Sequence, residues 1–212
     1  MKENWKKYLV EFIGTFFLVF TIGAIAFFWN EGVIAPLAIG FVLMVMVYAG
    51  GHVSGGHYNP AVSLAVLVRG AMEEKDYIPY ALFQIAGALC ASGLVLFMSK
   101  EYVITASPEF NIINLMIAEF LFTFALCYVV LFTATSSKVE NNSYYGLAIG
   151  STVMVGAFAV GSICLGAFNP AVAISTMVLG IACCTKLAWI TFGINLLAGA
   201  FAGWIYKIIN ND

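Results

Sequence analysis

The stretch GGHYNPAV at residues 55–62 is followed 110 residues later by LGAFNPAV at residues 165–172. In each copy a Gly-containing approach leads into Asn-Pro-Ala, and a short apolar run follows at residues 62–68 and 172–179. At about 1.5 Å per residue, neither run can cross a hydrocarbon core of about 30 Å. One Asn-Pro is an ordinary turn or helix start, but two in the same setting predict paired half-helices that stop inside a membrane.

Longer apolar segments surround both copies. They predict six membrane-spanning helices, at about residues 9–29, 34–51, 77–98, 111–134, 144–162 and 186–208. Hydrophobic residues make up 62% of the chain and charged residues 9%, against about 25% charged in an ordinary soluble domain. The net charge of -2 gives no reason to expect a nucleic-acid partner. The basic start of the chain resembles a signal peptide, but the apolar run that follows is span-length and contains Glu11.

The chain repeats itself beyond the two motifs. Polar and motif residues match in step, at an offset of 108 to 111: Glu11 with Glu119, 37–40 with 147–150, 59–62 with 169–172 and Gln84 with Asn195. Three spans is an odd number, so the second copy must be inverted relative to the first. We therefore expect an all-α membrane protein of six transmembrane helices and two re-entrant half-helices. One channel domain should fill residues 1–212, with repeats at about 5–100 and 111–208.

The basic residues are unevenly distributed over the predicted loops. One side of the six-span topology has Lys2, Lys6, Lys7, Arg69, Lys75, Lys138 and Lys207, whereas the other has Lys100 and Lys186. Basic loops stay on the cytoplasmic side of a membrane. The pattern predicts a multi-pass membrane protein with both termini in the cytoplasm. We assign this protein to the plasma membrane.

The repeated motif has a specific physical consequence. Asn is a favoured N-cap and Pro suits the first helical turn, so each half-helix directs a partly positive N-terminus toward the membrane centre. Two such ends repel cations, while the amides of Asn59 and Asn169 can donate hydrogen bonds. Unpaired backbone carbonyls in the approaches are tolerated only beside a wet cavity. These features predict a path for water or another small uncharged molecule.

At these residues the chain resembles the aquaporin and aquaglyceroporin family of major intrinsic proteins over essentially its whole length. The resemblance implies a homotetramer with one pore in each protomer, in a lipid bilayer. The motif residues of the pore would be Asn59, Pro60, Ala61, Asn169, Pro170 and Ala171. The carbonyls along the approaches would be near Gly55, Gly56, His57, Gly166, Ala167 and Phe168.

The sequence departs from the family pattern directly after the second motif. The family usually has Arg at this place, in an outer constriction, and this chain has Val172. Ungapped family spacing assigns the other three filter positions to Ile39, Ala157 and Gly166. None of these side chains is charged or aromatic. We therefore expect a wider and more apolar filter, which passes small uncharged solutes beside water.

The remaining polar residues are better interpreted as structural residues than as proton relays, metal ligands or substrate ligands. The resemblance implies that Glu11 and Glu119 brace the re-entrant loops, although an intramembrane carboxylate can also be a proton relay. His52 and His57 have no third metal ligand at suitable spacing, and His57 is interpreted as a loop brace. Gln84 and Asn195 are interpreted as contacts between helices. We expect no metal and no cofactor.

Other classes of function remain to be compared with a passive channel. A secondary transporter is the nearest alternative, because inverted repeats with broken helices also build carriers. Against it, the predicted spans contain no Lys, Arg or Asp suited to bind a coupling ion. Hydrolase motifs such as His-Glu-x-x-His are absent, so we do not expect an enzyme. A structural junction protein of the same family is a third possibility.

Overall fold

The fold is that of a computed structural model, which describes residues 4–28, 34–99, 109–182 and 185–210. Within these ranges the chain is helical and has no strands. The helices are α1 Trp5–Phe28, α2 Ala35–Ser54, α3 Pro60–Arg69, α4 Glu74–Met98, α5 Ile112–Ala134, α6 Tyr145–Val160, α7 Pro170–Val178 and α8 Thr185–Ile209. A 3₁₀ turn, Ser137–Val139, lies between α5 and α6.

The expected architecture of six spans and two half-helices is confirmed. Five helices, α1, α2, α4, α5 and α8, are long and apolar enough to cross a membrane. The fifth span, α6, has 16 residues, fewer than the predicted 144–162, because the chain leaves the helix at Gly161 and turns toward the second half-helix. The half-helices begin two residues before the predicted runs, since Pro60 and Pro170 occupy their first turns.

The two repeats pack in the same way and exchange their half-helices. In the first repeat α1 packs against α2 and α4, and in the second α5 packs against α6 and α8. The half-helix α3 lies against α8 of the other repeat, and α7 lies against α4. Each half-helix therefore packs against the last span of the opposite repeat as well as against the last span of its own repeat, α4 or α8. This arrangement brings the N-termini of α3 and α7 together in the interior.

Glycines allow the closest helix contacts. A Cβ added to Gly40 of α2 would lie 2.7 Å from the carbonyl oxygen of Gly150 in α6, and a Cβ at Gly150 would meet Gly40 O. A Cβ at Gly203 of α8 would lie 2.7 Å from Ala65 O of α3. Small residues at these crossings let the backbones touch, as is typical of helix packing in membranes.

Polar side chains are buried inside, and large apolar ones cover the outside. Glu11, Gln84, Glu119 and Asn195 are fully buried. Large exposed apolar side chains occur on all six long helices, among them Phe17, Phe41, Leu82, Leu121, Val155 and Trp204. An apolar exterior around a polar interior is the distribution that a lipid solvent requires.

Candidate pore and its loop braces

The two half-helices begin with the same cap. Asn59 and Asn169 have extended backbones, with φ of -158° and -160°. The Oδ1 atom of each accepts a hydrogen bond of 2.9 Å from the backbone N–H two residues ahead, at Ala61 and Ala171. An Asn at this position satisfies one of the donors that a helix start leaves unpaired.

The same two side chains also join the halves. Asn59 Nδ2 donates to the carbonyl oxygen of Phe168, and Asn169 Nδ2 donates to that of Tyr58, each at 2.9 Å. Tyr58 and Phe168 have positive φ angles of 49° and 46°, which turn their carbonyls toward the opposite loop. An amide nitrogen has two N–H groups, so each Asn retains a second donor for the cavity that both side chains line.

Glu11 anchors the loop of the first repeat with four hydrogen bonds. Its Oε1 accepts from Ser54 Oγ at 2.7 Å and from the backbone N–H of His57 at 3.0 Å. Its Oε2 accepts from the backbone N–H of Tyr58 at 2.6 Å and from Gln84 Nε2 at 2.8 Å. A carboxylate with this many donors holds the loop and is not exposed to the cavity.

Glu119 has the corresponding place in the second repeat. Its two oxygens accept from the backbone N–H groups of Ala167 at 3.0 Å and Phe168 at 2.9 Å. With its amide oriented to satisfy its neighbours, Asn195 donates to Glu119 at 3.3 Å and accepts from the backbone N–H of Asn169 at 2.9 Å. Gln84 therefore joins the third span to α1 and α3, and Asn195 joins the sixth span to α5 and to the start of α7.

His57 breaks the symmetry of the two loops. Its Nδ1 lies 3.0 Å from Ser63 Oγ, and Ser63 also accepts from Gln84 Nε2 at 3.0 Å. The corresponding residues of the second repeat are Ala167 and Ala173, which have no polar side chain. Among the described residues no three His, Cys, Asp or Glu side chains are grouped to hold a metal ion. His57 is thus part of a hydrogen-bonded brace.

A narrow cavity runs along the Asn pair. Its volume is about 20 Å³, enough for roughly one water molecule. Its wall consists of Leu18, Ile22, Ile39, Leu43, His57, Asn59, Val62, Leu126, Val130, Ile149, Val153, Gly166, Ala167, Asn169 and Val172. Apart from Gly166, these residues form pairs, separated by 108 residues on α1 and α5 and by 110 elsewhere. The wall is aliphatic except at the Asn pair, His57 and the loop backbone.

The structure brings three of the four expected filter residues to this cavity. Ile39, Gly166 and Val172 line it, whereas Ala157 does not. Ala157 lies in the last turn of α6, and the residues of that helix that line the cavity are Ile149 and Val153, the second of them one turn before Ala157. Val172 is 3% exposed, so the missing arginine does not leave an open hole. Large aliphatic side chains accompany Val172 in the cavity wall.

Another cavity, of about 550 Å³ and lined mostly by polar residues, lies at the C-terminal end of α3, and we call it the Arg69 mouth. Its lining includes Gly51 and His52 of α2, Gly55, Arg69 of α3, Thr135 after α5 and Tyr145 of α6. Arg69 donates to Thr135 O and to Tyr206 Oη, and its guanidinium lies 4.6 Å from the centre of the Tyr206 ring. Gly55 thus lies at the mouth, and Gly56 follows it in the loop with a φ of 64°.

The sequence prediction gave no role in the site to several residues that the structure places there, among them the wall residues Ile149 and Val153 and the polar or aromatic residues Ser63, Tyr58 and Arg69. Ser63 and Tyr58 have apolar or aromatic counterparts in the other repeat, so repetition did not mark them. Tyr58 Oη donates to Met46 O, and its ring fills the space left by Gly14 and Gly50. Arg69 served the prediction only as a marker of orientation. The available signal in the sequence was its position directly after the short apolar run that follows Asn59.

These features define a membrane protein with an inverted repeat and a central pore between two capped half-helices. The family description Major intrinsic protein matches residues 1–206. Aquaporin NIP1-4 of Oryza sativa subsp. japonica is 34% identical over 210 residues, which cover 95% of this chain and 76% of the rice protein. Glycerol uptake facilitator protein-like 6 of Lactiplantibacillus plantarum is 35% identical over 174 residues, 78% of this chain and 80% of the relative.

The fold agrees with a solved structure. The X-ray structure of the aquaglyceroporin from Plasmodium falciparum superposes with a TM-score of 0.79 at 19% identity, covering 98% of both chains. The chain belongs to the major intrinsic protein family. Members of this family are membrane channels for water and small solutes and are not enzymes.

Proposed function

We propose that this protein is a passive channel through which water and small uncharged solutes, of the size of ammonia, urea or glycerol, pass the Asn59–Asn169 pair. The observation that carries the proposal is the cavity wall, in which two Asn amides, His57 and the loop backbone are the polar parts of an otherwise aliphatic passage. Among the described lining residues there is no Asp, Glu, Lys or Arg. An apolar wall raises the free energy of an ion inside the cavity, and the two positive half-helix ends add to the barrier for cations.

The roles of the site residues are part of the proposal. Asn59 and Asn169, with Pro60, Ala61, Pro170 and Ala171 in the half-helix starts, form the centre. Ile39, Gly166 and Val172 form the filter, and Val153 takes the position that the sequence predicts for Ala157. Glu11 and Glu119 brace the loops, and the carbonyls of residues 55–57 and 166–168 serve the approaches.

The proposed setting is the plasma membrane, with the whole chain forming one channel domain and both termini in the cytoplasm. Support comes from the basic residues at the Arg69 end of the fold: Lys6 and Lys7 near the start of α1, Lys75 at the start of α4, Lys138 between α5 and α6, and Lys207 in the last turn of α8. We further propose a homotetramer, which light scattering of the detergent-solubilised protein would test by its mass.

The proposal is tested by blocking the cavity. Val153→Trp places a bulky ring in the pore wall, and Val155→Trp places the same ring on the outer face of α6, where Val155 is 57% exposed. Swelling and shrinkage of proteoliposomes are measured by stopped flow with water, ammonia, urea and glycerol. We expect the flux of Val153→Trp to fall to that of empty liposomes and the flux of Val155→Trp to equal that of wild type. Equal flux in both variants would mean that solutes do not use this cavity.

A further inference from the structure

The pore wall is symmetric where the family pattern would make it asymmetric. Val172 of α7 is the counterpart of Val62 in α3, and both line the cavity. An arginine at position 172 would place a charged side chain on one side of the Asn pair and not on the other. With valine at both positions, the two sides of the pair present the same aliphatic group.

The two repeats also contribute matching residues on α2 and α6, which pack against each other. Ile39 of α2 and Ile149 of α6 each precede a glycine, and Gly40 and Gly150 contact each other where the two helices cross. Both isoleucines line the cavity. A side chain on a helix leans toward the N-terminus of that helix. Because α2 and α6 run in opposite directions in an inverted repeat, Ile39 and Ile149 lean away from the crossing in opposite directions.

The neighbours of these residues identify the two sides. Tyr145, one turn before Ile149 on α6, lines the Arg69 mouth, and α3 leads from Asn59 past Val62 to Arg69. Ile149 and Val62 therefore lie between the Asn pair and the Arg69 mouth. By the repeat symmetry, Ile39 and Val172 lie on the other side of the pair.

We infer that the pore has two aliphatic constrictions in series, Ile39 with Val172 and Ile149 with Val62, and that the second determines selectivity as much as the first. The inference rests on the proposed function, because it assigns the solute selectivity of that same pore. Its physical basis is that a solute must pass both constrictions. For two similar resistances in series, widening one raises the flux by about twofold at most, whereas widening both removes the barrier.

The inference is tested with Ile39→Ala, Ile149→Ala and the double variant. Leu37→Ala and Leu147→Ala are matched controls, since Leu37 lies two residues before Ile39 on α2 and Leu147 two residues before Ile149 on α6. Their side chains are exposed on the outer surface, Leu37 by 38% and Leu147 by 50%. Glycerol and the larger polyol erythritol are the probes, in proteoliposomes with matched protein amounts. We expect each single variant to raise glycerol flux by about twofold or less, and the double variant to raise glycerol and erythritol flux by more than the product of the single effects.

The result that would contradict this inference alone differs from the result that would contradict the proposed function. If Ile39→Ala alone reaches the flux of the double variant and Ile149→Ala equals wild type, only one constriction controls selectivity and the inference is wrong. If wild type raises neither water nor solute flux above empty liposomes, the proposed function fails and the inference fails with it. Should an Ile→Ala variant not assemble, Val62→Ala, Val172→Ala and their double variant make the same comparison with a smaller change in volume.

Discussion

Two asparagines and two glutamates hold the centre of this molecule. Each asparagine has both a local and a long-range partner, and the partners of the two glutamate side chains are all distant in sequence. Asn59 and Asn169 cap their own half-helices and donate across to the opposite loop. Glu11 and Glu119 accept from the backbone N–H groups of the residues just before those caps. The repetition of charged and amide residues at nearly the same offset made these four predictable, because apolar matches are common in such a composition and polar matches are not.

Removal of a glutamate should destabilise the protein before it changes transport. Glu11→Ala leaves two backbone N–H groups, Ser54 and Gln84 without their acceptor, at a cost of about 1–3 kcal/mol for each buried unsatisfied group. Glu11→Gln retains one acceptor oxygen and should lose less stability. The measurement is the thermal unfolding temperature in detergent, which we expect to fall in the order wild type, Glu11→Gln, Glu11→Ala.

A different outcome would support the transporter alternative. If Glu11→Ala and Glu119→Ala are as stable as wild type but lose a flux that a proton gradient drives in wild type, the carboxylates are proton relays. The bracing role would then be wrong.

Replacement of the central amides tests cation exclusion. Asn59→Asp combined with Asn169→Asp introduces carboxylates at the two positive half-helix ends and removes the Nδ2 donors. We expect a larger potassium or proton leak than in wild type, measured as the decay of an imposed membrane potential across proteoliposomes. An unchanged leak in a correctly assembled double variant would contradict the central barrier.

Position 172 tests the filter. Val172→Arg adds a long side chain, five N–H donors and a fixed charge to a cavity of about 20 Å³. We expect urea and glycerol permeability to fall much more than water permeability, because water is the smallest of the three and can use the new donors. A solute-to-water permeability ratio that stays the same or rises, at matched protein per liposome, would show that residue 172 does not govern selection.

At the scale of helices, the sequence predicted which elements exist better than where they end. Hydrophobic length placed the spans, and Asn-Pro placed the half-helix starts, since cap and first-turn preferences are local. The end of α6 is not local. It depends on the turn at Gly161 into the second loop, and the predicted span therefore ran two residues too far. The predicted filter residue Ala157 lies in that last turn, outside the cavity.

The helix crossings should be sensitive to small changes in volume. Gly40→Ala places a methyl group 2.7 Å from Gly150 O, so α2 and α6 must separate. Gly93→Ala is the matched control, because a Cβ at this exposed position of α4 meets no atom within 4 Å and alanine is the better helix former. We expect a lower thermal unfolding temperature for Gly40→Ala and an equal or higher one for Gly93→Ala. Equal unfolding temperatures for Gly40→Ala and wild type would contradict the tight crossing.

At the scale of the whole molecule, the inverted repeat determines the function that the fold can perform. Each repeat contributes one half-helix, one bracing carboxylate and one half of the pore wall, and the exchange of α3 and α7 between the repeats closes the path around the Asn pair. The sequence could predict this plan from its offsets. It could not predict the width of the path, because that depends on how side chains from six helices and two loops fill one cavity.

The most direct test of the account distinguishes a passive channel from a carrier. Solute flux into proteoliposomes containing wild-type protein is measured by stopped flow over a wide range of urea concentration and at several temperatures, with Val153→Trp as the blocked control. We expect a flux above that control that rises in proportion to concentration, depends weakly on temperature and does not change when a proton or sodium gradient is imposed. A flux that saturates, rises steeply with temperature or follows an ion gradient would contradict it and would identify an alternating-access transporter.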